Sequence, residues 1–203
     1  EETDGRFKGR ILLGPKQLTG VALGLSHAVA MTDGGLEEWD GATTLTYWTK
    51  TLGTGATLAR RAPEKRTGTY CARLFTTNTG QDAVIHQDIA WDDAYQGKTF
   101  TAGCYAYVDS AANFHGHITI DDGVGATASE EITTTSYGLH FVTRTLDASA
   151  TRLRVIVTAD TASDSDKNLY VDDIWISPTT SLSTPVKVVQ FGSTLVAAVG
   201  DAL

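Results

Sequence analysis

From Met31 to Pro178 the chain is a succession of short runs in which apolar and polar residues alternate, parted by Gly, Asp, Asn and Thr. Among them are TYCARLFTT (Thr69–Thr77), AVIHQDIAW (Ala83–Trp91), KTFTAGCYAYVD (Lys98–Asp109), FHGHITIDDG (Phe114–Gly123), LHFVTRTLD (Leu139–Asp147), TRLRVIVTAD (Thr151–Asp160) and LYVDDIWIS (Leu169–Ser177). A period of two is that of a strand with one face in a core, and no segment sustains the 3.6-residue period of a helix. Short strands at this spacing predict an all-β chain folded as an antiparallel β-sandwich over residues 31–178. Residues 1–30, with the apolar bursts RILLGP and GVALGL, read as an N-terminal arm of one or two short strands. Residues 179–203 read as a Pro/Ser/Thr linker and a strand-like hairpin extension. Two strands alone are marginal, so the extension is expected to pair with the arm, with the sandwich or with further sequence. The chain starts at Glu1 without Met, which suggests a processed product or an excised fragment.

One of these runs is unusual. In NLYVDDIWIS strict alternation places Tyr170, Asp172, Ile174 and Ile176 on one face and Leu169, Val171, Asp173 and Trp175 on the other. Both faces are otherwise apolar, so one aspartate is expected to lie in line with the core, where an unpartnered carboxylate is costly. Two remedies are open. Asp172 accepts hydrogen bonds from backbone or hydroxyl groups, or a cation neutralises it. TDGGLEEW (Thr32–Trp39) offers a partner for the second remedy: a Gly-Gly pair lets carbonyls turn toward an ion, and Glu37 follows at once.

The chain carries a net charge of −8. That balance argues against nucleic acid, which needs concentrated Lys and Arg. The basic stretch ARRAPEKR (Ala59–Arg66) reads as a solvated loop. No apolar run approaches the roughly 18 residues of a membrane-spanning helix. Cys71 and Cys104 lie in strand-like runs without CxxC spacing; buried thiols or a disulfide between facing strands both fit. No nucleophile elbow, metalloprotease helix or phosphate loop is present. The adjacent carboxylates Asp92/Asp93 and Asp121/Asp122 do not have the facing geometry of a glycosidase pair. An enzyme is not expected.

Aromatic side chains are more suggestive. In KTFTAGCYAYVD, Phe100, Ala102, Cys104, Ala106 and Val108 share a small apolar face, leaving Tyr105 and Tyr107 on the other. In FHGHITI, Ile118 and Ile120 look inward and His115 and His117 outward. If the two runs form a hairpin, the tyrosines and histidines meet on one exposed face. Flat aromatic rings edged by polar groups suit the C–H faces and hydroxyls of sugars. Trp48 and Trp91, in loop-like contexts, are candidates for the rim; Trp39 and Trp175 read as core.

The order DGGLEEW, YCARL after Gly68, GKTFTAGCYAYV and LYVDDIWI resembles the jelly-roll carbohydrate-binding modules of the galactose-binding-like superfamily, of the type appended to xylanases and cellulases. The resemblance covers about Met31 to Pro178. It implies a structural Ca²⁺ held by Glu37 and Asp172 with a carbonyl near Gly35, and aromatic residues on a concave sheet in the strand of Tyr105. Asp33 and Leu36 stand where the family usually has Asn and Phe. The function implied is non-catalytic glycan binding, outside the cell or on a virion surface. The alternative is a structural, assembly or adhesion domain of a viral particle or cell-surface appendage, self-associating or fused to a larger polypeptide through its extensions.

Overall fold

The computed structural model of the chain describes residues 31–76, 81–109, 114–161 and 167–179, and the backbone of three further strands. Within those spans only the backbone is described for residues 114, 115, 161 and 167. In chain order the strands are β1 (Leu12–Leu13), β2 (Thr49–Leu52), β3 (Thr57–Arg61), β4 (Cys71–Thr76), β5 (Ala83–Ile89), β6 (Thr99–Val108), β7 (Phe114–Asp121), β8 (Ala126–Ala128), β9 (Gly138–Thr145), β10 (Leu153–Thr161), β11 (Lys167–Pro178), β12 (Val186–Phe191) and β13 (Thr194–Val199). A single 3-10 turn, Asp93–Tyr95, is the helical exception among the described residues.

Two units are distinct. Val29–Thr179 forms one; Glu1–Ala28 with Thr180–Leu203 forms the other. The second unit holds a three-stranded antiparallel sheet in the order β1-β13-β12. The first is a sandwich of two five-stranded antiparallel sheets, ordered β2-β5-β10-β7-β8 and β3-β4-β11-β6-β9. Successive strands repeatedly change sheets, so the chain winds as a jelly roll. Between the sheets lie the alternate residues that the period of two singles out: Leu74, Ile85, Phe100, Ile118, Val155 and Val171 are all fully buried. Cys71 and Cys104 are both buried free thiols, which decides between the two readings of the cysteines. Burial pushes the Cys104 thiol up to about 12.

Two expectations are corrected. First, β6 and β7 are not a hairpin: β6 pairs with β11 and β9, β7 with β10 and β8 in the opposite sheet. Tyr105 and Tyr107 therefore face away from His117 across the thickness of the sandwich. Second, strict alternation fails in β11. Its register against β6 shifts between Asp172 and Trp175, a β-bulge, with Asp173 at φ 48°. One extra residue there reverses the parity of everything after it. Leu169 and Val171 point to the core before the bulge, and Ile174 and Ile176 after it. Tyr170, Asp172, Trp175 and Ser177 are left on the outer face. Trp175 is thus not core; it is 36% exposed.

Candidate functional site

The two sheets present unlike outer faces. On the first, charged side chains pair across neighbouring strands: Arg154 with Asp88, Arg152 with Asp121, and His117 within 3.8 Å of Asp160. Such a face is solvated and self-satisfied. On the second, the outer rows are aromatic and hydroxylic. Trp175, Gly103 and Phe141 stand in register across β11, β6 and β9. The strand spacing puts the outer two about 10 Å apart. Gly103 gives the indole its seat, because a Cβ there would lie 2.5 Å from Trp175 Cζ2 and 2.7 Å from Cε2. Phe141 is 59% exposed and leaves its ring open to solvent.

The next row along the strands is Asp172, Tyr105 and Leu139. The Arg66 guanidinium lies 3.4 Å from the Tyr105 ring centroid and is held there by Asp173. Beyond it Tyr170 pairs with Arg73 on one side and Tyr107 on the other. Tyr107 and Tyr170 stack at 4.7 Å, and Tyr137 meets Tyr107 edge-on at 4.8 Å. Tyr137 also donates its hydroxyl to the carbonyl of Glu64, tying the loops before β4 and β9 together over the stack. Burial raises the Tyr107 hydroxyl to about 12, so it remains a protonated donor. In the other direction Thr101 meets Thr143 at 2.8 Å and Thr179 at 3.2 Å, and Thr99 meets Thr145 at 2.8 Å. The face as a whole offers aromatic planes next to short hydroxyls that can donate or accept.

The remaining candidates disperse. Trp48 is buried and donates its indole N–H to the Asp33 carbonyl at 3.1 Å, so it anchors the entry segment. Trp91 is half-buried; it donates to Asp93 and packs edge-on against Tyr95 at 5.9 Å, away from the tyrosine stack. His117 lies beside the Ser129 carbonyl at 3.3 Å on the charged face. The His115 side chain lies outside the described residues, although in β7 its backbone pairs with Asp160 of β10. Of the six sugar candidates, Tyr105 and Tyr107 share the aromatic face. Trp175 and Phe141 were missed: the bulge conceals the first, and an exposed Phe in a polar strand signals the second.

Glu37 and Asp172 converge on one loop. Glu37 Oε1 accepts the N–H groups of Thr69 and Tyr70 at 2.8 and 3.3 Å. Asp172 Oδ2 accepts those of Arg66 and Thr67 at 2.8 and 3.1 Å, and its Oδ1 that of Asp173 at 2.7 Å. Backbone N–H groups thus answer the fully buried Asp172, and Arg66 turns its charge to Asp173 instead. Burial nonetheless raises the Asp172 carboxyl above its ordinary range, against the pull of those three amides. The entry segment is fixed to the same place. Asp33 accepts the N–H groups of Glu37 and Glu38, and the Gly34 carbonyl accepts that of Ile174 at 2.7 Å. Glu37 and Asp172 bring two carboxylates to one loop, and carboxylate oxygens are what a hard cation takes. No group of three or more His, Cys, Asp or Glu side chains able to hold a metal is found among the described residues.

Comparison with known proteins places this fold. No family model matches the sequence, and no curated protein does. Solved structures do match. TmCBM61, determined in complex with β-1,4-galactotriose, aligns over 75% of this chain and 99% of its own with 11% identity and a TM-score of 0.52. The enzymatically active domain of tailspike protein 4 from bacteriophage CBA120 aligns over 74% of this chain and 21% of its own with 14% identity and a TM-score of 0.54. The match thus spans about a fifth of that domain's chain. The antiparallel jelly-roll sandwich expected from the sequence is the fold of this chain, and both of these structures share it.

Proposed function

We propose that the chain is a non-catalytic carbohydrate-binding module whose site is the outer face of the second sheet. The observation that carries this reading is the seating of the Trp175 indole on Gly103 beside an exposed Phe141. Folding gains little from leaving two large rings in water; a ligand with an apolar face gains a platform. Tyr105 with Arg66, and the threonine hydroxyls, supply polar contacts on either side. The fold shared with TmCBM61 supports the reading. Affinity is modest because an open face buries little ligand surface.

Affinity electrophoresis against soluble polysaccharides tests it. Trp175→Ala is expected to weaken retention by at least roughly tenfold, and Phe141→Ala by less, as truncating a central aromatic anchor does. Absence of retardation by every glycan in the panel, with Trp175→Ala indistinguishable from the parent, removes the reading. A structural Ca²⁺ at Glu37 and Asp172, with a carbonyl near Gly35, belongs to the same proposal. Its role is mechanical: it neutralises a buried carboxylate where the entry segment, the loop before β4 and β11 meet. The location of the protein outside the cell or on a virion surface follows from the ligand proposed.

A further inference from the structure

We propose that the glycan bound on this face is acidic, and that Arg73 reads the carboxylate of a uronic acid unit beside the tyrosine stack. The inference rests on the reading of the outer face as glycan-binding. It begins with charge. The whole chain is strongly acidic, yet residues 57–76, which supply β3, β4 and the loop between them, hold Arg60, Arg61, Lys65, Arg66 and Arg73 against the single acid Glu64. Two of these cations are committed: Arg61 pairs with Glu64, and Arg66 with Asp173. Arg60 lies over the Tyr70 ring. Arg73 forms no ion pair among the described residues; its guanidinium approaches the Phe75 ring only at 5.7 Å.

The environment of Arg73 is incomplete. It points outward, since its strand neighbours Ala72 and Leu74 are fully buried, and it pairs with Tyr170 of the stack. Its Nε is buried without a hydrogen-bond partner among the described residues, and so is Oδ1 of Asn168. Asn168 pairs with Phe75 two residues along, on the same outer face. Of the acids near it, Asp109 is already occupied by the Asn168 backbone and side-chain amides, and Glu64 by Arg61. A buried guanidinium N–H left unsatisfied is costly, and such an orphan asks for a partner. The planar fork of Arg73 and the amide of Asn168, on neighbouring strands of one outer face at the edge of the tyrosine stack, fit a carboxylate and an adjacent ring hydroxyl. The net charge of −8 opposes a polyanion at long range. Screening limits that opposition to about 8 Å at physiological ionic strength, so recognition is by contact with single units.

The test compares each acidic glycan with its own methyl ester, which keeps the sugar and removes the charge. De-esterified polygalacturonate, alginate and glucuronoxylan are run beside their esters and beside neutral β-1,4-galactan, using the whole chain. At least one acidic form is expected to be retained at least tenfold more strongly than its ester. Arg73→Met should erase that preference, and Arg73→Lys, which keeps charge but loses the fork, should restore only part of it. Thermal unfolding of each variant reports folding, and the ester comparison on the parent decides even if Arg73→Met does not fold. Retention that depends on Trp175 but is blind to esterification and to Arg73 overturns the inference while sparing the platform. No retention by any glycan, with Trp175→Ala like the parent, removes platform and inference together.

Discussion

Asp122 shows how a single buried acid can be made to stabilise this fold. It is fully buried. Its Oδ2 accepts from Arg144 Nε and Nη2 at 3.0 and 2.7 Å and from the Asp147 N–H at 2.9 Å. Its Oδ1 takes the N–H groups of Val124 and Gly125. Burial pushes the carboxyl up, but the backbone amides and Arg144 outweigh it and hold the value at about 2. Because the folded state binds this proton less readily than the unfolded chain, the stabilisation is complete above about pH 4 and is lost as pH falls through about 2. It amounts to about 2 kcal/mol. Asp122→Asn strands Arg144 and should cost about 3 kcal/mol at pH 7, while flattening the acid limb of the stability profile. A variant that melts like the parent would show that the network contributes nothing. Asp172 has the opposite sign: burial raises its carboxyl despite the three amides it accepts, so its charge opposes folding at neutral pH and that cost shrinks as pH falls. Sequence exposed that difficulty without its solution. The doublet at Asp172 and Asp173 announced a misplaced charge, whereas the amides that meet it come from residues 66 and 67, over a hundred positions away.

At the scale of elements, the strands were legible because a half-buried sheet writes its period into the sequence. Seven quoted runs became β4, β5, β6, β7, β9, β10 and β11. What alternation cannot show is which runs become neighbours, and so the pairing of β6 with β7 failed although both faces were read correctly. Nor can it show a bulge; an Asp able to adopt positive φ is only a faint mark of one. Close approaches make two glycines of the corner around Glu37 and Ile174 sensitive. Gly68, at φ 59°, would place a Cβ 1.8 Å from Glu37 Oε1, and Gly34 would place one 2.1 Å from the Ile174 carbonyl oxygen. Gly34→Ala should be the more harmful, since backbone must move; a loss of about 2–4 kcal/mol in urea unfolding is expected, against about 1–3 for Gly68→Ala. If a cation joins these elements, EDTA should lower the melting temperature by several degrees and Ca²⁺ should restore it. An unchanged value in EDTA, with no metal in the purified protein, disposes of the ion.

For the molecule as a whole, the sandwich encloses its own core, so residues 29–179 produced without their flanks should melt cooperatively within roughly 3 °C of the full chain. A broad or much lower transition would mean that the flanking unit shares in its stability. The difference between the two outer faces was not legible, because it depends on which strands share a sheet. Once they are assembled, cross-strand ion pairs line the first face, while exposed rings stand on the second beside the Arg66–Asp173 pair. The bulge at Asp173 gives that division an unusual origin. A single residue of insertion decides whether an indole or an isoleucine meets the outside, so gain or loss of one codon would exchange the entire tip of the strand at a stroke. Among descendants of such a chain, the side chains offered at this position would change by jumps, while the rest of the surface drifted one side chain at a time.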